Sequence, residues 1–434
     1  MLARLRHLAA LLADSFWLVP AGLVAGSALM AFTCLHLDVA GVIPESMIEG
    51  AWLYNGGPTG ARTLLGAVAG SAIGVAGTVF SITIAALTLA AGQMGPRLLR
   101  NFVRDRGNQF TLGVLLGTFT YALLVLRTVR TTEEGGFTPH LSISVGILLA
   151  FGSVGVLIYF VNHVATRINV DTVIGLVGDD LQRSVRAVLP VEDEVPPATT
   201  RDLPEWPDAV PVVSTQAGYV QSVDTAALTH WAEAEGMQVR LVVRPGHYVF
   251  PHVPVAWLPH DVADAERVVG EALLLGPVRT PYADLEYAIR QLVEVAMRAL
   301  SPGINDPYSA VSVVDRLGAA LCDLSRVRLP SGCFAREGRT LLTLPSLDYD
   351  GLVDTMFNPL RQHGSGNAMV LIRLLETLAA VMQCEHDGER RGTLLRHAQL
   401  VLEEGERSLR AAADVADLRQ RHEQLGRPQG RRAA

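Results

Sequence analysis

Between Arg62 and Arg97 the chain runs for 34 residues without one charged side chain. Surface helices of water-soluble proteins keep a polar face, so a run this long and this bland belongs in a bilayer or a very large core. Three more apolar stretches accompany it, at residues 15–37, 110–126 and 141–161. A span needs roughly 20 apolar residues to cross a hydrocarbon layer of about 30 Å. There the backbone must satisfy itself, so each stretch reads as a helix. Only 18% of the 434 residues are charged, against about 25% in an ordinary soluble domain. The N-terminus imitates a signal peptide, with Arg4 and Arg6 ahead of an apolar run. Its length and the spans that follow make it a first anchor instead.

Arginine placement orients the spans. Arg4, Arg6, Arg97, Arg100, Arg104, Arg106, Arg167, Arg183 and Arg186 fall on one side, and Arg62, Arg127 and Arg130 on the other. The positive-inside rule then puts both termini in the cytoplasm of a bacterium, with the protein multi-pass in the inner membrane.

The second span, residues 63–96, would measure about 51 Å as a helix, longer than the bilayer core. Ala67, Ser71, Gly74, Thr78, Ser81, Ala85, Thr88 and Gly92 recur along it at steps of three and four, so they share one face. Gly66, Gly70 and Gly74 add a small-residue ladder beside them. Such a seam lets helices approach closely, or it lines a polar path in an oligomer. No acidic or basic residue sits at mid-depth in any span, which argues against a proton relay or an ion-coupled pump. After Pro96, Arg97, Arg100 and Arg104, with Arg106 close behind, form a basic inner loop suited to anionic lipid headgroups or to a pore vestibule.

Downstream, residues 169–188 carry an amphipathic helical pattern, and residues 190–211 form a proline- and acid-rich linker. Short β-rich runs follow at 218–223, 238–243, 248–250 and 255–258, the last two reading as a hairpin. From Val262 the pattern is helical. Glu286, Arg290, Glu294 and Arg298 are spaced for ion pairs along one helix. In the corner Ser301-Pro-Gly-Ile-Asn-Asp-Pro307, Asp306 is a natural N-cap and Pro307 a natural first helical residue. Arg298, Asn305, Asp306 and Asp315 are the residues there that suit a ligand or partner. A short strand is expected at 340–344, then helices to about residue 425.

The chain contains no lysine. That excludes a Walker phosphate loop, Schiff-base chemistry and a lysine-tethered carrier domain, although the 243–255 segment faintly resembles a biotinyl or lipoyl fold. Cys34, Cys322, Cys333 and Cys384 show no C-x-x-C spacing and read as free thiols in a reducing compartment. His247, His252 and His260 lack carboxylate or thiol companions, so no metal site is expected, nor any cofactor or catalytic constellation. The net charge of −7 gives no reason to expect nucleic acid.

Several blocks resemble a known family: "SFWLVPA" at Ser15, "GTVFSITIAALTLAAGQMGPRLLRNFVRDRGNQF" from Gly77, "VDTVI" at Val170, "VRPGHYV" at Val243 and "IRQLVEVAMRALSPGINDPYSA" from Ile289. Together they resemble the bacterial predicted membrane proteins grouped as domain of unknown function 2254. The resemblance implies an inner-membrane protein with a cytoplasmic C-terminal region, and it implies no activity.

The expected architecture is a membrane α-helical protein with four transmembrane helices and a cytoplasmic α+β region. Residues 1–165 would be the four-helix domain, 166–210 a helix and linker, and 211–260 a small β barrel-like module. Residues 261–425 would be a helical domain and 426–434 a disordered tail. The functional expectation is an oligomeric pore or passive transporter gated by the cytoplasmic part, with the lipid bilayer and further copies of itself as partners. The alternative is a membrane-anchored scaffold or ligand-binding protein.

Overall fold

A computed structural model describes residues 16–41, 53–94, 105–130, 137–167, 169–187, 206–279 and 284–425. They fall into two compact units, Met1–Thr172 and Val173–Ala434.

The first unit holds α1 (Leu18–Val39), α2 (Pro58–Met94), α3 (Arg106–Leu126) and α4 (His140–Arg167). Each is long and apolar enough to cross a membrane, as the four apolar stretches predict. With 37 residues, α2 is a single unbroken helix, about 55 Å long at 1.5 Å per residue. The interior is packed by Leu65, Tyr121, Ile143, Leu115 and Phe160, all fully buried. Close helix approach within the chain comes from Gly113 and Gly117 of α3. A Cβ at Gly113 would stand 2.6 Å from Leu23 Cδ1 and 3.0 Å from Pro20 Cα, and one at Gly117 would stand 2.5 Å from Ser27 Oγ.

Polar ties fix the helix ends. The Asp38 carboxylate, at the end of α1, accepts from Leu141 N at 3.0 Å and Ser142 N at 2.9 Å. It thereby caps the N-terminus of α4, whose first N–H groups have no helical partner. At the start of α3, Asp105 accepts from Gly107 N at 2.8 Å and pairs with His163 Nε2 of α4 at 2.7 Å. Midway between, Thr118 and Ser153 share a buried hydroxyl–hydroxyl bond of 3.0 Å.

The second unit takes in most of α5 (Val170–Ala187), then β1 (Val210–Val213), β2 (Gly218–Val223), α6 (Thr225–Ala234) and β3 (Val239–Leu241). It continues with β4 (Tyr248–Val249), β5 (Pro254–Leu258), α7 (Ala265–Ala272) and β6 (Leu273–Gly276). Next come α8 (Leu285–Ala299), α9 (Pro307–Leu324), β7 (Cys333–Arg336) and β8 (Arg339–Thr343). Four helices complete it: α10 (Tyr349–His363), α11 (Ala368–Cys384), α12 (Gly388–Ser408) and α13 (Ala412–Glu423).

The strands form a five-stranded sheet in the order β1-β5-β3-β8-β7 and a three-stranded sheet in the order β4-β2-β6. Two expectations change here. The runs at 248–250 and 255–258 do not pair as a hairpin. β4 pairs with β2, while β5 lies between β1 and β3 in the other sheet. The strands of 211–260 also do not close a module alone, because β3 pairs in parallel with β8 and β2 takes β6 as its second partner. Edge strands carry unpaired N–H and C=O groups. Later segments of the chain supply the partners, so the 261–425 stretch is not purely helical. The proline-rich linker and the 426–434 tail lie outside the described residues, apart from residues 206–211.

Helices α8 to α12 start as their sequences direct. Asp284, Asp306, Asp348, Asn367 and Asp387 each accept a hydrogen bond from a backbone N–H in the first turn. Their apolar faces meet over Ile289, Leu292, Val314, Leu317, Phe357, Leu374 and Leu378, all fully buried.

Candidate functional site

The seam of α2 lies on the outer face of the first unit. Ala61, Leu65, Ala69, Ala72, Ala76 and Val79 are buried and form one face of the helix. At 100° per residue, Ser71, Gly74, Thr78 and Ser81 fall half a turn away. They and Thr88 are exposed. A Cβ at Gly66, Gly70, Gly74 or Gly77 would meet nothing within 4 Å. Each seam hydroxyl donates to its own helix: Ser71 to Val68 O at 3.1 Å, Thr78 to Gly74 O at 3.1 Å, Ser81 to Gly77 O at 2.9 Å and Thr88 to Ile84 O at 2.9 Å. The protons are thus satisfied locally, and the oxygen lone pairs remain on the seam as acceptors. Exposed Ile73, Phe80 and Ile84 stand along one side and Ile82 along the other. The result is a shallow groove of small residues between larger apolar ones.

Of the basic loop, Arg97, Arg100 and Arg104 lie outside the described residues. Arg106 opens α3 and is exposed, next to the capping Asp105.

The Ser301–Pro307 corner is built as its residues predict, but its four chosen side chains do not converge. Asp306 caps α9, accepting from Ser309 N at 3.2 Å and Ser309 Oγ at 2.6 Å. Asn305 takes a left-handed backbone conformation, φ 50°, a role for which asparagine is better suited than most residues. Arg298 pairs with Glu294 at 3.8 Å. Asp315 is nine residues beyond Asp306, about 13 Å along the helix, and pairs with Arg373 of α11 at 2.5 Å. The groups the corner does present are Tyr308, 71% exposed, and Ile304.

Sequence reasoning missed a charged knot that joins the three-stranded sheet to α8. Arg244 bonds Glu286 across 42 residues of sequence. Arg279 Nε binds Asp284 Oδ2 at 2.6 Å and reaches Glu286 at 3.6 Å, and Arg290 also lies 3.6 Å from Glu286. Arg244, Arg279, Asp284 and Glu286 are each less than one-fifth exposed. Burial alone would raise the Glu286 carboxyl. The hydrogen bond and charge of Arg244, helped by Arg290 and Arg279, outweigh it and hold the group below its ordinary 4.5. Burial, with Arg244 beside it, lowers the neighbouring His247. Gly246 makes the approach possible. Its φ is +92°, and a Cβ there would stand 2.5 Å from Asp284 Oδ2 and 2.6 Å from an Arg279 nitrogen. The only sequence signal was the Arg-Pro-Gly-His turn, which does not name its distant partners.

Among the described residues no three His, Cys, Asp or Glu stand close enough to hold a metal ion. Cys34, Cys322, Cys333 and Cys384 form no disulfide with one another, and burial, then the neighbouring Cys384, push the Cys322 thiol up to about 12.

Four apolar helices able to span a bilayer, followed by a mixed helical and small-sheet unit, make up a membrane protein with a large second domain. The chain belongs to the DUF2254 family of predicted membrane proteins, whose pattern matches residues 13–380. Uncharacterized proteins of Mycobacterium tuberculosis and Mycobacterium bovis are 32% identical to it over 379 residues, covering 84% of this chain and 72% of theirs. No solved structure matches it.

Proposed function

We propose that the protein is an oligomeric inner-membrane pore or passive transporter, with the unit after residue 172 on the cytoplasmic side. The observation that carries this reading is the placement of the α2 seam. The face richest in Gly, Ser and Thr is the one turned away from its own bundle. Small residues let a second backbone come close, so this face suits a contact between copies. Hydroxyl lone pairs along it suit a path for water, cations or small neutral solutes. Among the described residues the interior of one chain is filled by Tyr121, Phe160, Leu65 and Leu115, so a path would need more than one copy. That packing favours the second reading, a membrane-anchored scaffold or ligand-binding protein without transport.

The test is solute and ion flux through liposomes that hold the purified protein, with Ser81→Leu and Thr88→Leu alongside. Flux by the wild type and none by the variants supports a path along α2. Equal flux in all three moves the path elsewhere. No flux from any of them, across several salts and voltages, removes the transport reading.

A further inference from the structure

A cavity of about 480 Å³ opens in the second unit, between the end of β3, the 328–333 loop and the 343–347 segment. That is within the roughly 300–1,000 Å³ typical of small-molecule sites. Arg240, Arg328 and Arg390 line it, with Ser331, Thr343 and Ser346, and leucine and proline side chains fill much of the remainder. Among the described residues no carboxylate lines it.

The walls are pre-formed. Arg390 lies over the Tyr349 ring at 5.0 Å and donates to Leu324 O at 3.3 Å and Val327 O at 3.5 Å, with Glu385 behind it at 3.7 Å. Arg240 lies over the Trp206 ring at 4.7 Å. Stacking fixes the plane of each guanidinium. Arg328 makes no hydrogen bond or ion pair with the described residues, and its side chain is exposed. Thr343 is 6% exposed, and its hydroxyl has no hydrogen-bond partner. The two wall segments are joined by Leu344 N donating to Gly332 O at 2.8 Å. Gly332 has φ +71°, and a side chain there would overlap the Leu344 carbonyl, so the loop passes at the closest distance the backbone allows.

Arg390 has Glu385 beside it, but Arg328 brings a further positive charge to the cavity, and the buried Thr343 hydroxyl on the same wall lacks a partner; an anion answers both. A carboxylate offers two oxygens and one charge. A phosphate ester offers three oxygens and up to two charges, matched to the fork of each arginine. We propose that this cavity binds a phosphate-bearing small molecule. Arg328 and Arg390 hold the phosphate, Thr343 and Ser346 supply hydroxyl donors, and the leucine-lined part takes the organic portion. The site stands apart from the pore reading and does not depend on it.

The test uses the full chain in nanodiscs. In one arm, protein in phosphatidylcholine discs is titrated with pyrophosphate and with adenosine monophosphate by calorimetry. In the other, phosphatidate replaces part of the disc lipid and the thermal midpoint is read. Arg328→Ala is the site variant, because Arg328 has no partner whose loss would unfold the loop. Arg326→Ala is the control: the same charge change, two residues away and off the cavity lining. Saturable binding in the first arm, weakened at least tenfold by Arg328→Ala and less than twofold by Arg326→Ala, establishes a soluble phosphate ligand. A midpoint rise only with phosphatidate, abolished by Arg328→Ala alone, establishes a lipid headgroup as the phosphate source. No saturable response in either arm, or equal losses in the two variants, overturns the proposal.

Discussion

Replacing Glu286 with Gln removes the carboxylate that faces Arg244, Arg279 and Arg290, while leaving the side chain's size almost unchanged. Arg244 is 14% exposed and Arg279 17%, so neither guanidinium is freely hydrated. Asp284 remains as a partner for Arg279 alone. Breaking a buried ion pair by removing one partner costs about 3–5 kcal/mol, because the other charge stays buried and unanswered. Partial exposure places this case at the lower end, about 3 kcal/mol. For a domain of this size, each kcal/mol moves the thermal midpoint by roughly 2–4 °C. The expected fall is therefore about 6–12 °C. Arg290→Ala is the internal control. Its side chain is 47% exposed, and an exposed helical pair contributes about 0.3–0.5 kcal/mol, a shift of about 1–2 °C. Tryptophan emission reads the transition, because Trp206, Trp231 and Trp257 all lie in this unit. A Glu286→Gln shift no larger than that of Arg290→Ala would refute the claim that this knot is a buried, coupled network.

The same carboxyl sets an acid limit. Its folded value is below 4.5, so its contribution is complete above 4.5 and is lost as pH falls through the folded value. Glu286→Gln should flatten the midpoint-against-pH curve below about pH 4.5. Burial lowers His397 from its ordinary 6.5, and its Nδ1 is buried without a partner while Nε2 bonds Asp354 at 2.8 Å. A lowered histidine stabilises the fold above its unfolded value, so stability should decline as pH drops from 6.5, and His397→Gln should reduce that slope. Gly246→Ala should lower the midpoint of the second unit by at least as much as Glu286→Gln, since it adds a strained φ to displaced charges. In the first unit, Gly113→Val overpacks the contact with Pro20 and Leu23 and should cost about 1–3 kcal/mol. Gly70→Val, which meets open space, should leave the single chain's stability unchanged and instead reduce particle size in detergent if copies meet there.

Much of the fold was readable because its causes are local. The spans follow from runs of apolar residues, and the helix start at Asp306 follows from a residue that caps the turn beside it. The pairs Glu286–Arg290 and Glu294–Arg298 follow from the four-residue spacing of a helix. Which face of α2 turns inward was not readable. Alanine and leucine on one side and glycine, serine and alanine on the other differ too little in hydropathy for a helix surrounded by apolar matter. The choice was made by the shapes of α3 and α4, where Leu115 and Phe160 fit against Ala76 and Val79. The corner was legible as a corner, but not that its four polar side chains diverge, because Asp315 pairs with Arg373 and Arg298 with Glu294.

The sequence by itself determined that this chain has four apolar helices, a mixed second unit, and membership of a membrane-protein family. It did so because hydropathy, capping and helical spacing act over a few residues. Only the tertiary structure decided that β3 pairs with β8 about a hundred residues on, that Arg244 meets Glu286, and that three arginines from distant segments surround one cavity. Those contacts depend on how whole elements pack and on which buried charges must find each other, and no short window of sequence carries that information.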